Sequence, residues 1–321
     1  MNAVHDLAGA GDLKVLAVVP GPPDHGVVRH GLVVADLVGA HVVRTLAPVP
    51  GAWDVTHVQF TDALFGAEIG SAAAAFESWA ATAPRPLVVT LHDVPGADTD
   101  TGRAARRAAG YGRVAAAADA VVVCSDHEAD RLQPRPYVVP LPVDALTAPG
   151  PRPAWADRPS IAVLGFLYPG KGHERVVAAA AGTGALVVAI GGPSPGHEGL
   201  VEDLQRQARD AGVELLVTGP LSDADLHAAA RAVTVPVASY ATTGASGSLV
   251  TWIAAGRRPV TTSGPYADEL DARWPGSLLP TGDLAAGLRA ALADPGSTHA
   301  PPPPRPDGGE LLRAVYRALP A

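Results

Sequence analysis

Short apolar segments bounded by turn residues recur along the chain, and each is followed by a stretch with helical periodicity. These segments are continuous rather than alternating, which is typical of parallel strands buried on both faces of a sheet. Because strands and helices alternate, the sequence predicts an α/β fold. The predicted strands are 13–20, 40–46, 55–60, 86–93, 120–125 and 136–143 in the first half, and 160–166, 185–192, 213–219, 233–239 and 258–263 in the second.

A proline-rich segment without periodicity, DALTAPGPRPAWADRP at 144–159, divides the chain into two halves. A length of 321 residues also favours two domains over one core. We therefore expect two Rossmann-like domains, 1–150 and 151–321, which face each other across a cleft where the strands end. A second proline-rich stretch precedes a predicted final helix at 310–319, which we expect to pack back on the first domain.

Composition and charge exclude several classes of protein. The net charge of −8 and the lack of a basic stripe argue against a nucleic-acid partner. No apolar run reaches the length of about 18–20 residues that spans a membrane, and the first residues do not resemble a signal peptide. A single cysteine, Cys124, fits a reducing compartment, so we expect a cytoplasmic protein. No histidine, cysteine and aspartate cluster has metal-site spacing, and we expect neither a metal nor a cofactor.

Two turns in the second half carry the clearest chemical signal. In LGFLYPGKGHERVV (164–177), Lys171 stands beside the start of a predicted helix, either as a phosphate ligand or as a solvated lysine in a tight turn. The second turn, at the start of another predicted helix, contains Gly244, Ser246, Gly247 and Ser248. The free N–H groups at this helix start can bind an anion, and one of the serines can also serve as the N-cap residue. Because both turns follow strands of the same predicted sheet, together they predict a diphosphate clamp.

The first half offers weaker candidates at its own strand ends. Gly26 follows the first strand and permits a close backbone approach to a ligand. His92 and Asp93 end the segment VVTLHD, where active-site groups protrude from an α/β sheet, although Asp93 could simply begin a loop. His57 in VTHVQF is either a second ligand-contacting residue or an interior histidine with satisfied ring nitrogens.

With these motifs in order, the chain resembles the family 4 glycosyltransferases of GT-B fold over about residues 13–270. The matching segments are HGVVRHGLVVADL, TLHD, GFLYPGKGHERVV, LLVTGPLSDADLHAAARAVTVPVASY and GASGSLVTWIAAGRRPVTTS. The resemblance implies a retaining, metal-independent transferase that moves a sugar from a nucleotide-sugar donor to an acceptor. It also implies that the first domain binds the acceptor, which is a glycan, a small molecule or a lipid-linked molecule, and that the second domain binds the donor.

The resemblance assigns roles to individual positions. It implies that Lys171 contacts the donor diphosphate and stabilises the leaving group, and that His92 hydrogen-bonds the transferred sugar. Gly219 and Pro220 are implied to lie beside the nucleotide base, and Gly26 to let its loop approach the donor phosphates. The remaining donor-binding positions are Gly244, Ser246, Gly247, Ser248 and Thr251.

Two departures from the family pattern open a second hypothesis. The family carries two glutamates eight residues apart, and Thr243 and Thr251 stand at those positions, while Phe166 replaces a common arginine. A threonine hydroxyl can bond a sugar but is not a charged acceptor. The alternative is therefore a nucleotide-sugar-binding relative without turnover, acting as a partner subunit. A periplasmic-type binding protein, a third possibility, requires an export signal.

Overall fold

The computed structural model of the chain describes residues 13–96, 101–143, 148–240, 244–304 and 307–320. It divides the chain into two compact units. Unit 1 comprises Met1–Pro140 and Asp307–Ala321, and unit 2 comprises Leu141–Pro306. Each unit is built around one six-stranded sheet in which every pair of neighbouring strands is parallel.

The sheet of unit 1 has the strand order β2-β1-β3-β4-β5-β6. Its strands are β1 Val15–Val18, β2 His41–Val43, β3 Val55–Phe60, β4 Leu87–Leu91, β5 Ala120–Val123 and β6 Tyr137–Val138. Its helices are α1 Gly26–Val38, α2 Asp62–Phe65, α3 Ile69–Ala80, α4 Thr101–Ala116 and α5 Asp126–Ala129, with α12 Gly308–Arg317 at the end of the chain. The central strands β3 and β4 are buried along their whole length, as their continuous apolar sequences predict.

The sheet of unit 2 has the order β12-β11-β10-β7-β8-β9, which is the Rossmann order. Its strands are β7 Ser160–Leu164, β8 Leu186–Ile190, β9 Leu215–Val217, β10 Val235–Ala238, β11 Val260–Thr262 and β12 Leu279–Thr281. Its helices are α6 His173–Ala179, α7 Leu200–Asp210, α8 Asp223–Ala232, α9 Gly247–Ala254, α10 Pro265–Arg273 and α11 Leu284–Ala293. Short 3-10 helices lie at Ala154–Asp157 and Pro295–Thr298.

Apolar side chains cover both faces of each sheet. In unit 2, Val163 and Val237 belong to a core cluster on one face, and Ala162 and Trp252 belong to a cluster on the other. Trp252, on α9, is fully buried, which fixes this helix against the sheet. The two-sided burial confirms the α/β fold with parallel sheets. Within the ranges that the structure describes, no helix is both long enough and apolar enough to cross a bilayer.

The final helix α12 belongs to unit 1 rather than to unit 2. Its Leu312 and Val315 join a core cluster with Val15 and Val88 of the unit 1 sheet. Arg313 of α12 donates a hydrogen bond to the backbone carbonyl of Leu37 at a distance of 2.7 Å. The last residues of the chain thus complete the core of the first unit.

Candidate functional site

The strand order of unit 2 reverses between β7 and β10, which are hydrogen-bonded neighbours with Ile161 opposite Val235. In an open parallel sheet this switch point separates the two loops and leaves a crevice at the carboxyl ends of the strands. The loop after β7 carries Lys171, and the loop after β10 leads into α9. The two turns singled out from the sequence therefore meet at the switch point.

Gly172 lets the two turns approach closely. Its φ angle is +93°, a value that favours glycine, and a Cβ atom built on it would lie 2.1 Å from the backbone oxygen of Ser239. Ser239 is the first residue after β10. The backbone of the lysine turn therefore packs directly on the end of β10, which no other residue at position 172 would allow.

Lys171 is buried, with 6% of its surface exposed, and the contacts of its ammonium with the described residues are to neutral groups. Its Nζ atom donates to the hydroxyl of Ser248 at 2.9 Å and lies 3.5 Å from the hydroxyl of Tyr240. It also stands 4.5 Å from the ring centroid of Tyr240, a cation–π distance. Among the residues that the structure describes, no aspartate or glutamate pairs with this lysine.

Two serines at the start of α9 complete this cluster. Ser246 is the N-cap residue, and its hydroxyl accepts from the backbone N–H of Leu249. The same hydroxyl lies 3.0 Å from the hydroxyl of Tyr240 and 3.2 Å from that of Ser248. Tyr240 and Ser248 also share a short hydrogen bond. The capping role expected for serine is therefore combined with a polar cluster around the ammonium.

The electrostatic setting of this cluster is positive. Burial and, to a smaller extent, the charge of Lys171 together lower the pKa of His173, the first residue of α6, to about 3, so this imidazole is neutral at pH 7. Its Nε2 atom is buried and has no hydrogen-bond partner in the part of the chain that the structure describes. Free N–H groups at the start of α9 add the positive end of a helix dipole. An ammonium, a helix start and several hydroxyl groups, with no described carboxylate beside them, are suited to bind an anion.

Gly219 and Pro220 lie in the turn that follows β9, at the same edge of the sheet. Pro220 packs on Gly192, where a Cβ atom would lie 3.2 Å from the proline ring. Gly191 in turn packs on Gly165, at the end of β7. The turns after β7, β8 and β9 are thus contiguous, although Gly219 and Pro220 are not part of the Lys171 cluster.

The remaining donor-binding candidates of unit 2 lie outside the hydroxyl cluster. Gly247 is the exposed first residue of α9, and Gly244 lies in the bend before it. Thr251 donates its hydroxyl to the backbone oxygen of Gly247 at 2.9 Å, an internal bond of the helix. Thr243 lies outside the described residues. At the position where the family resemblance implies the second glutamate, this chain therefore has a hydroxyl that is already donated to the backbone.

In unit 1, His92 directly follows β4 and is held from several sides. Its Nε2 atom lies 2.9 Å from Oε1 of Gln59, and its backbone oxygen accepts from the hydroxyl of Tyr111 at 2.6 Å. The His30 ring meets the His92 ring edge-on, with centroids 5.0 Å apart. Burial lowers the pKa of His92 well below its ordinary value, and His30, His57 and His25 lower it further. The ring is therefore neutral at pH 7.

The other unit 1 candidates differ in character. His57 is an interior histidine: its ring nitrogens bond to Tyr316 at 2.6 Å and to Thr90 at 2.7 Å. Asp93 adopts a positive φ of 57° and accepts a hydrogen bond from Thr61. Gly26 begins α1 with open space around its Cα, so the protein itself does not require a glycine there. Within the described ranges, no group of three or more histidine, cysteine, aspartate or glutamate side chains is placed to hold a metal ion.

Sequence reasoning missed two residues of these clusters. Tyr240 is a polar residue two positions after β10, so the strand-end rule that singled out His92 also points to it. Gln59 is the one amide in the buried segment VTHVQF, and a polar residue inside an apolar strand is itself a signal that a partner exists. The lysine that Tyr240 contacts and the histidine that Gln59 bonds both lie far away in sequence, so these pairings could not be predicted.

Comparison with known proteins identifies the fold of the chain. No protein-family model matches the chain, and no curated protein sequence matches it. Solved structures do match. The structure of Anabaena HepE in complex with UDP and glucose aligns with 96% of this chain and 95% of its own, at 14% identity and a TM-score of 0.68. Sucrose-phosphate synthase from Thermosynechococcus elongatus aligns with 94% of this chain and 95% of its own, at 14% identity and a TM-score of 0.69.

The alignment with the trehalose 6-phosphate synthase of Burkholderia multivorans is less extensive. It covers 82% of this chain and 68% of the synthase, at 14% identity and a TM-score of 0.57. All three alignments extend over both units. The chain has the GT-B fold. This confirms the fold expected from the sequence, and at such low identity the likeness concerns the fold alone.

Proposed function

We propose that this chain is a retaining glycosyltransferase that moves a sugar from a nucleotide-sugar donor to an acceptor. The observation that carries the proposal is the buried ammonium of Lys171, which has only neutral partners among the described residues and lies beside the start of α9. A buried cation without a counter-ion is costly unless a ligand supplies the negative charge. The diphosphate of a nucleotide sugar supplies it, and HepE, which has the same fold, is solved with UDP and glucose.

In the proposed reaction the bond between the sugar C1 and the diphosphate oxygen breaks, and negative charge develops on the departing diphosphate. Lys171, the hydroxyls of Ser246 and Ser248 and the free N–H groups of α9 are already oriented to stabilise that charge. The acceptor oxygen bonds to C1 on the same face, and its proton passes to the departing diphosphate. Protein groups supply the positive charge in this scheme, so it requires no metal.

The other roles implied by the family resemblance are part of the same proposal. Unit 2 is the donor-binding unit and unit 1 the acceptor-binding unit, in which His92 hydrogen-bonds the transferred sugar. The donor-binding set comprises Gly26, Lys171, Gly219, Pro220, Gly244, Ser246, Gly247, Ser248 and Thr251. Cys124 is buried as a free thiol, which fits the reducing cytoplasm that we propose as the compartment.

Calorimetric titration with UDP-, GDP- and ADP-sugars, combined with an assay for nucleotide release, tests this function. We expect one nucleotide class to bind and to be released in the presence of an acceptor. Lys171→Ala should lower transfer by about 10²-fold, as loss of one preoriented donor does elsewhere. Lys14, the only other lysine, is exposed, so Lys14→Ala is the matched control. Equal rates in both variants would contradict the role of Lys171, and NMR of the product decides between retention and inversion.

A nucleotide-sugar-binding protein without turnover is the second candidate. The hydroxyl of Thr251 is donated within α9 and is not a charged acceptor for a sugar or ribose, and this specific observation favours the second candidate. The same titration separates the two candidates. Binding with no nucleotide release across glycan, small-molecule and lipid-linked acceptors supports the binding protein, whereas release supports the transferase.

A further inference from the structure

Gln59 lies in the centre of the unit 1 sheet, on β3, and only 2% of its surface is exposed. Burying an amide without a partner is unfavourable, so a glutamine in this apolar strand needs a hydrogen bond to offset its burial. The side chain has one: its Oε1 atom lies 2.9 Å from Nε2 of His92, the residue that follows the neighbouring strand β4.

The hydrogen bond between Gln59 and His92 determines which ring nitrogen of the histidine carries the proton. An amide oxygen only accepts hydrogen bonds, so the Nε2 atom of a neutral His92 must carry the proton. The other ring nitrogen, Nδ1, is then a hydrogen-bond acceptor, and it has no hydrogen-bond partner among the described residues. Nδ1 can thus accept a hydrogen bond from a hydroxyl group of a ligand.

Packing holds both partners of this pair in place. Gly31 of α1 lies so close to Gln59 that a Cβ atom on the glycine would stand 2.6 Å from Cγ of the glutamine. The backbone of His92 is tied to Tyr111, and its ring meets His30 edge-on. The stem of the glutamine and the imidazole ring are therefore both packed against neighbouring residues.

We propose that Gln59 is a positioning residue that holds His92 in one orientation and in its Nε2–H tautomer, so that Nδ1 accepts a hydrogen bond from a hydroxyl of the transferred sugar. The tautomer and orientation follow from unit 1 alone, whereas the sugar hydroxyl rests on the proposed function. Side chains that orient a ligand-binding histidine in this way typically change activity about 10- to 100-fold when removed, by analogy with metal sites.

The test uses the full chain labelled with [¹⁵N]histidine, and a His92→Gln variant identifies the His92 signals. Long-range ¹H–¹⁵N spectra report the tautomer without any substrate. We expect Nε2–H in the wild type, a mixture of tautomers in Gln59→Leu, and Nε2–H again in Gln59→Glu, whose carboxylate is also an acceptor. Gln207→Leu, an exposed glutamine of α7, is the matched control and should leave the tautomer unchanged.

Kinetics with the donor found by titration complete the test. Gln59→Leu should lower kcat about 10- to 100-fold with little change in KM. Gln59→Glu should restore most of kcat and move the acid limb of the pH profile to higher pH, because a carboxylate raises the pKa of the imidazole. An Nδ1–H tautomer in the wild type, or an unchanged tautomer in Gln59→Leu, overturns the proposal. A tautomer shift with unaltered kcat also overturns it, whereas a wild type that transfers no sugar rejects the proposed function and leaves the Gln59–His92 pair standing.

Discussion

His57 in unit 1 and Lys171 in unit 2 are both buried polar side chains, but their partners differ in kind. Both ring nitrogens of His57 are bonded to other side chains, and burial keeps the ring neutral, with a pKa lowered to about 3. Lys171 has hydroxyl groups and aromatic rings around it but no described acidic partner. The His57 network is complete within the protein, whereas the described residues offer the lysine no counter-ion.

This contrast separates structural from functional polar groups. A residue whose hydrogen bonds are all satisfied by the protein contributes to the fold, and removing it should change stability before it changes binding. A buried charge that the protein leaves without a counter-charge is retained at a cost to stability, which is typical of ligand-binding sites. The predictions below test this distinction, beginning with the largest expected effect.

Acid should unfold unit 1 before unit 2. The pKa of His57 is lowered to about 3 and that of His30 to about 4, in each case chiefly by burial, and His92 is lowered as well. In the unfolded chain these histidines take up protons near pH 6.5, so below that pH the unfolded state binds more protons than the folded state. The free energy of unfolding should therefore fall with falling pH, by about 1.4 kcal/mol per pH unit for each such histidine until its folded pKa is reached.

Hydrogen exchange at pH 7, 6 and 5 measures this difference unit by unit. Unit 2 has the same kind of histidine in His173, whose pKa is lowered to about 3, and the pKa of the less buried His299 is lowered as well. We expect protection to be lost first in β3 and β4. His57→Gln should weaken the pH dependence, and His41→Gln, at an exposed position, should not. Loss of protection in unit 2 first would contradict the assignment of the network to unit 1.

Replacing Lys171 by methionine should affect binding and stability in opposite directions. The substitution removes a buried ammonium and keeps an apolar chain of similar size, so the free energy of unfolding should stay unchanged or rise, by up to about 2 kcal/mol. Donor affinity should fall about 10- to 100-fold, because a charge-assisted hydrogen bond is worth about 1.5–3 kcal/mol. Thermal unfolding and calorimetric titration measure the two effects. A large loss of stability in Lys171→Met would show that the lysine is structural and would end the contrast with His57.

The sequence predicted the sheets well because buried parallel strands are continuous apolar segments. Every predicted strand occurs, usually one to three residues shorter at its ends. Strand β12 and helices α2, α10 and α11 were not predicted. The strand has only three residues, LPT, one of them a proline, which weakens any strand signal. Helix α11 does carry a helical pattern, with Asp283 as its N-cap, so its signal was available.

The candidate site was predictable residue by residue but not as a set of contacts. Lys171, Ser246 and Ser248 were found from the chemistry of helix starts, and the sheet order brings them together. That Tyr240 covers the ammonium depends on how far the loop after β10 extends, a property of tertiary packing. The pair of Gln59 and His92 likewise depends on the register of β3 and β4, which local sequence does not encode.

Gly172→Ala tests whether the lysine turn depends on its close packing against β10. The substitution places a Cβ atom 2.1 Å from the Ser239 oxygen and forces a non-glycine residue to a φ of +93°. We expect a loss of at least about 2 kcal/mol in the free energy of unfolding and weaker donor binding, because both turns must move. Gly170→Ala is the matched control, since Gly170 has a similar φ of +89° but no atom within 4 Å of its added Cβ. It should cost only about 1 kcal/mol, and equal losses in the two variants would show that the contact with Ser239 is unimportant.

Tyr316→Phe gives the smallest expected effect on donor binding and tests the other half of the comparison. The substitution removes only the hydroxyl that bonds Nδ1 of His57, in a buried pair 2.6 Å apart that joins α12 to β3. The loss of one hydrogen bond with a buried partner should lower the free energy of unfolding by about 1–3 kcal/mol. Donor affinity should stay within about twofold of the wild type, because the protein alone completes this network and no part of the Lys171 cluster is changed. Denaturant unfolding and titration with the donor measure both quantities. A fall in affinity as large as that of Lys171→Met would mean that the buried network of unit 1 also contributes to ligand binding. The distinction between satisfied and unsatisfied polar groups would then not separate structural from functional residues in this protein.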